Sequence, residues 1–285
     1  MSVLNALAAP GFFASGPVLT AAVIGGGAAI VSGFVGVFTV LRGQSFAGHA
    51  LADVSSAGGS VSFLLGLNPL LGFLGVAVLA AGAMEMAGLR RARERDLVTG
   101  IVLGAGLGVT ALFLYFDMST QSTTGAAISV MFGSMFAIPA SLIPLTLAVA
   151  TGALVITGTI YRPLLLSSLD PDLAAARGVP VRLIGLLHLL VLSLAVTLSA
   201  MTIGAILSTA LLIGPAATAL RLARSPGRAV LLAMLIGLGA TWGGILLAYD
   251  SYGWTSGHSW PVSFFIVTII FAAYLLSGLA TRRRG

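Results

Sequence analysis

His49 and Asp53 stand four residues apart in "FAGHALADVSS", residues 46–56, a stretch that is otherwise apolar or small. Residues four apart share one face of a helix, so an imidazole and a carboxylate can be presented to a single point. Inside a bilayer an ionisable side chain costs about 2.5–3.5 kcal/mol on insertion scales, and it normally faces a cavity and has a partner. Three roles suit such a pair: a structural hydrogen bond that pins two helices, a proton relay, or a transient metal site. Imidazole with carboxylate fits borderline divalent ions such as zinc, manganese or ferrous iron. Two ligands fall short of the four that close a structural zinc site, which suits an ion that must leave again. Water or groups from other helices would complete the coordination. Gly48 precedes the pair and Gly58 and Gly59 follow it, so the helix is expected to bend or loosen just beyond the site.

The elements that must hold this pair follow from composition. Of 285 residues, 58% are hydrophobic and 8% charged, and mean hydropathy is +1.09. A soluble domain has about 25% charged residues, so little is left here for a wetted surface. The chain reads as an all-α polytopic bundle, one transmembrane domain over residues 1–285. Each span needs about 20 apolar residues. Apolar runs separated by polar punctuation give about nine: 19–41, 45–66, 70–89, 98–116, 138–160, 182–200, 202–222, 229–248 and 261–280. The second of these carries His49 and Asp53 near its middle. The run 183–220 is nearly continuous and twice the length of one span, so it divides, with its weakest point around Met201.

All 14 basic residues are arginine. They fall after the first span (Arg42), after the third (Arg90, Arg91, Arg93, Arg95), between the fifth and sixth (Arg162, Arg177, Arg182), between the seventh and eighth (Arg221, Arg224, Arg228) and at the end (Arg282, Arg283, Arg284). With nine spans these share one side, the cytoplasmic one. The N-terminus is then outside and the C-terminus inside. This segregation accounts for the basic excess without nucleic acid. Glycine clusters such as "VIGGGAAIVSGFVG" and "GIVLGAGLGVTA" favour close helix packing. There is no cysteine, which excludes disulfides, thiolate metal sites and cysteine nucleophiles. Without lysine no Walker A loop can form, and no H-E-x-x-H or EF-hand pattern occurs. No enzymatic apparatus is expected. The N-terminus lacks the positive region of a cleaved signal peptide and reads as part of the mature chain.

Two further segments carry information. In "LDPDLAAARGVPV", Asp170 suits an N-cap and Pro171 the first helical position. Asp172 lies in the first turn, where the helix dipole favours an anion. Gly178 suits the stop and Pro180 blocks continuation. A short cytoplasmic helix follows, either a connector or a docking element for a cytoplasmic partner. In "TIGAILSTALLIGPAATALRLARS", Gly214 and Pro215 are expected to break a spanning helix, as a packing kink or as part of a substrate route. Among other polar groups, Glu85 is either an exit-side ligand or a partner for nearby arginines. His188 reads as hydrogen-bonded core rather than a ligand. His258 lies in an outer loop.

These segments together resemble the zinc, manganese and iron uptake family of ABC transporter permeases. "GVFTVLRGQSFAGHALADV" is similar to that family's L-R-x-x-S-L-x-G-D-A-L-S-H-A signature, and "ERDLVTGIVLG" to its S-E-D-x-A-I-G-I-V segment. "MFGSMF" resembles L-F-G-S-I-L. "LDPDLAAARGVPV" resembles D-P-E-L-A-R-A-L-G-V-P-V, and "MTIGAILSTALLIGPAATA" resembles V-G-x-L-L-V-x-A-L-L-I-x-P-A-A-T-A. Each motif is short; their order along nearly the whole chain is specific. The resemblance implies a homodimeric permease in the bacterial cytoplasmic (inner) membrane. It implies ATP use by separate cytoplasmic ATPase subunits and delivery of the metal by an extracytoplasmic binding protein. It makes residues 170–178 a coupling helix, with Asp170, Asp172, Ala174, Arg177 and Gly178 at the ATPase, and His49 and Asp53 the metal ligands. The family motif has aspartate first and histidine four residues later; here the order is reversed, which leaves the particular metal open. A permease for a metal chelate or other small solute, and a proton-coupled secondary transporter, are the competing expectations.

Overall fold

The apolar runs fold as helices where the sequence places them. A computed structural model describes residues 11–86, 92–121, 124–254 and 260–282. The helices are α1 (Gly16–Leu41), α2 (Ser45–Leu64), α3 (Pro69–Met86), α4 (Ala92–Gln121), α5 (Thr124–Phe132), α6 (Ile143–Thr159), α7 (Tyr161–Leu169), α8 (Pro171–Ala176), α9 (Val181–Ile203), α10 (Ala205–Leu222), α11 (Pro226–Trp254) and α12 (Val262–Arg282). Among the described residues there is no strand. Seven helical segments are long and apolar enough to cross a membrane; α2 and α3 are not in that set but occupy the expected second and third spans. The shortfall of α2 has a physical reason. Every residue in 50–60 is buried, because α3 and α4 pack along α2 while α9 and α10 touch it. A helix surrounded by protein satisfies its polar side chains there and does not need a lipid-facing surface.

Contacts between helix ends place Arg42 and Arg221 at one end of the bundle. Arg42, at the end of α1, donates to Ser167 of α7 (3.1 Å). Arg42 and Glu85 of α3 meet over Gly185 of α9. Arg221 of α10 donates to the Tyr274 hydroxyl of α12 and stacks on its ring, 3.9 Å from the centroid. Gly227, at the start of α11, faces the Tyr161 hydroxyl. All these groups therefore share one end of the bundle. At the other end Phe12 packs on Tyr249 (5.3 Å between ring centroids) and the Trp260 amide donates to Ser251. Arg90, Arg91, Arg283 and Arg284 lie outside the described residues, as does His258.

Two helices lie outside the expected spans, and one expectation is corrected. The first helix lies in the connection 117–137. α4 runs on to Gln121 with Asp117 buried, and α5 follows. The second, α7, precedes α8 and is separated from α6 by Ile160 alone. Gly214 and Pro215 do not break α10, which is continuous through both. Pro215 removes one backbone donor, yet packing holds the helix. Gly214 leaves room for Ile270 of α12, and Thr218 returns its hydroxyl to the Gly214 carbonyl (2.8 Å). The real break lies at Gly204, between α9 and α10, with φ 88° and ψ 157°. Only glycine adopts that backbone region readily. Gly133, with φ 75°, faces it so closely that a Cβ there would stand 2.6 Å from the Gly204 nitrogen. The two glycines fix where α10 begins.

Candidate metal centre

α2 starts at Ser45, so His49 and Asp53 lie about 6 and 12 Å along its axis at 1.5 Å per residue. The pair is therefore nearer the arginine-bearing end than the expected mid-helix position. The i, i+4 spacing does bring the side chains together. His49 Nε2 is 3.4 Å from Asp53 Oδ2. That is longer than a charge-assisted hydrogen bond of about 2.7–2.9 Å. It matches the ligand-to-ligand separation of about 3.4 Å that bonds of about 2.0–2.1 Å make at a tetrahedral metal. The His49 side chain is 39% exposed and that of Asp53 only 7%, so the pair opens on its histidine side.

Neighbouring helices fix the geometry. Thr209 of α10 bonds His49 Nδ1 at 2.9 Å. Below Asp53, the Ser56 hydroxyl donates to the Asp53 carbonyl (2.5 Å) and pairs with Thr110 of α4 (2.8 Å). Gly106 of α4 lies directly on Val54. Gly58 of α2 and Gly72 of α3 touch backbone to backbone, and a Cβ on either would strike the other's carbonyl oxygen. The small residues flanking the site thus seat α3 and α4 against it.

The remaining candidates do not join the pair. Among the described residues no three His, Asp or Glu side chains group together. Glu85 shares the space over Gly185 with Arg42. A Cβ on Gly185 would lie 3.6 Å from Arg42 Nη2 and 3.9 Å from Glu85 Oε2. His188 is buried, and among the described residues neither ring nitrogen has a hydrogen-bond partner, against the expectation of a hydrogen-bonded core histidine. In the short helix α8, Asp170 Oδ1 accepts from the Leu173 amide (2.9 Å) and Gly178 stops the helix at φ 79°. Asp172, Leu173 and Arg177 are exposed, whereas Ala174 is fully buried against its own chain. Thr209 escaped the sequence reading: it lies 160 residues from His49, at a position its motif leaves variable. The signal available was only a hydroxyl in a spanning helix, one of three in α10 with Ser208 and Thr218.

A multi-pass helical bundle holding an imidazole–carboxylate pair between buried helices is the membrane-spanning part of a transport system. The chain belongs to the ABC 3 transport family, whose description matches residues 16–279. It is 30% identical over 261 residues to the manganese import system permease protein ScaB of Streptococcus gordonii, covering 89% of this chain and 91% of that one. It is 25% identical over 229 residues to the high-affinity zinc uptake system membrane protein ZnuB of Haemophilus influenzae, covering 78% and 85%. The solved structure of PsaBC from Streptococcus pneumoniae in complex with Fab superposes with a TM-score of 0.79 at 26% identity, over 94% of this chain and 92% of that one.

Proposed function

We propose that this chain is the membrane permease subunit of an ATP-driven importer of a divalent transition metal, manganese or zinc, and that the ion passes His49 and Asp53. The observation that carries the reading is the pair itself: an imidazole and a carboxylate inside the bundle, spaced as metal ligands are. The names of the relatives support manganese or zinc as cargo. ATP is hydrolysed by separate cytoplasmic subunits, an extracytoplasmic binding protein delivers the metal, and the membrane is the bacterial inner membrane. The permease works as a homodimer. The partly open face of His49 supports this: a second copy covers that face and encloses a path. α8 is the segment that meets the ATPase. Its docking face is formed by Asp172, Leu173 and Arg177. Asp170 and Gly178 define the helix ends, and Ala174 anchors it from within.

The test is uptake of manganese and zinc by proteoliposomes holding the permease with its ATPase subunits. His49→Ala and Asp53→Ala are each expected to lower ATP-dependent uptake at least 10-fold, since a two-ligand site has no spare ligand. Wild-type uptake of both metals by both variants would leave the pair a purely structural contact. Uptake driven by a proton gradient without ATP would instead favour the secondary-transporter reading.

A further inference from the structure

On the reading of His49 and Asp53 as ligands, we infer that Thr209 is a positioning residue for the cargo metal, its hydroxyl holding the His49 ring so that Nε2 and Asp53 face the ion together. The bond from Thr209 Oγ1 to His49 Nδ1 measures 2.9 Å, a normal hydrogen-bond length. The other edge of the ring carries Nε2, 3.4 Å from Asp53 Oδ2. One hydroxyl thus fixes the ring on one edge and the carboxylate faces it on the other.

Thr209 is half-buried, and its hydroxyl differs from those that bond within their own helix. Thr39, Thr157 and Thr218 each donate to the carbonyl four residues back in their own helix, at 2.7–3.0 Å. Ser208, next to Thr209, returns to the Ala205 carbonyl. Thr209 reaches across to another helix, as Ser32 does to Ser199 and Ser56 to Thr110, but its partner is an imidazole. Its place is set by the break at Gly204, five residues earlier, where the chain is locked against Gly133.

The chemistry explains why a hydroxyl suits the position. A neutral imidazole has one donor and one acceptor nitrogen. Before an ion arrives, the favourable tautomer points Nε2–H at the Asp53 carboxylate, and Nδ1 accepts from the Thr209 hydroxyl. With an ion on Nε2, that nitrogen is bare and the ring proton sits on Nδ1, which donates to Thr209 Oγ1. As the ion binds, Nε2 gives its proton to water and Nδ1 takes one from water, so the ring stays neutral. A hydroxyl both donates and accepts; it serves both tautomers without movement of the ring. A carboxylate or carbonyl in its place would serve only the second.

Groups that orient a metal-bound histidine typically account for 10–100-fold in metal affinity. Thr209→Val keeps the shape and removes the hydroxyl, and Thr209→Ser keeps the hydroxyl. The experiment is equilibrium binding of Zn2+ and Mn2+ to the full-length permease in nanodiscs, with thermal melting as a check of folding. Thr209→Val is expected to weaken binding 10–100-fold with an unchanged melting temperature, and Thr209→Ser to bind as wild type does. In a His49→Ala background, Thr209→Val should add nothing further. Wild-type affinity in Thr209→Val, or an equal loss in the His49→Ala background, overturns the positioning role while leaving the ligands in place. Wild-type binding by His49→Ala alone overturns the ligand reading, and the role of Thr209 falls with it.

Discussion

At position 49 the chain places histidine where the family motif has aspartate, and the two positions are not equivalent in their surroundings. Position 49 is partly open and reached by Thr209; position 53 is nearly closed and lies over Ser56 and Thr110. Exchanging the ligands, His49→Asp with Asp53→His, keeps one imidazole and one carboxylate on the face. It also moves each by one turn, about 5.4 Å, and parts the imidazole from the Thr209 hydroxyl. Uptake of zinc and manganese by the exchanged protein is expected to recover partly over either alanine variant and to stay below wild type, with an altered preference between the metals. His49→Asp alone is expected to remain as impaired as His49→Ala, because carboxylates one turn apart disfavour each other's ionisation. An exchange variant no better than the alanine variants would mean that the surroundings, and not the ligand set alone, dictate the order.

At the scale of elements, α8 divides into an inner and an outer face. Ala174 is fully buried where α8 meets α7 and the start of α9, whereas Leu173 beside it is 42% exposed. Ala174→Leu overfills a packed site, at a cost of about 1–3 kcal/mol, and is expected to lower the melting temperature of the permease alone. Leu173→Ala is expected to leave melting unchanged, while retention of the ATPase subunits and metal uptake fall several-fold. Equal behaviour of the two variants in both assays would remove the distinction between anchor and docking face. The limits of α8 were legible in the sequence because each is marked by a local signal: Asp170, Pro171 and Gly178. The spans were legible for the same reason, as apolar runs need no partner to be recognised. α5 and α7 were not, since nine-residue helices carry too little periodicity to stand out and are held by tertiary contacts. The division of the run 183–220 was legible around Met201, within three residues of Gly204, whereas Gly214 and Pro215 misled, because their helix survives with α12 packed on it. His49 and Asp53 were visible through their spacing on one helix. Thr209 was not, because its relation to His49 exists only once α2 and α10 pack.

For the whole molecule, the gathering of arginine at one end predicts a fixed orientation. The chain has no cysteine, so single cysteines report without background. Leu67→Cys, in the turn between α2 and α3, and Ser225→Cys, between α10 and α11, are expected to react with an impermeant thiol reagent from opposite faces of the membrane. Labelling of both from one face would overturn the arrangement. The enclosure of α2 has a consequence for how the protein is made. A nascent helix leaves the insertion machinery into lipid before its neighbours exist, and there α2 must be judged by its own sequence. It carries His49 and Asp53, ionisable groups that cost free energy in lipid, and it is not among the seven described helices long and apolar enough to cross a membrane by length and composition. α2 is therefore expected to enter less readily as a solitary segment than with a neighbour. The bare contact between Gly58 and Gly72 lets it enter as half of a hairpin with α3, synthesised only a few residues later. The glycines that seat the finished site are thus expected to act earlier too, by letting its least apolar helix enter paired with the next.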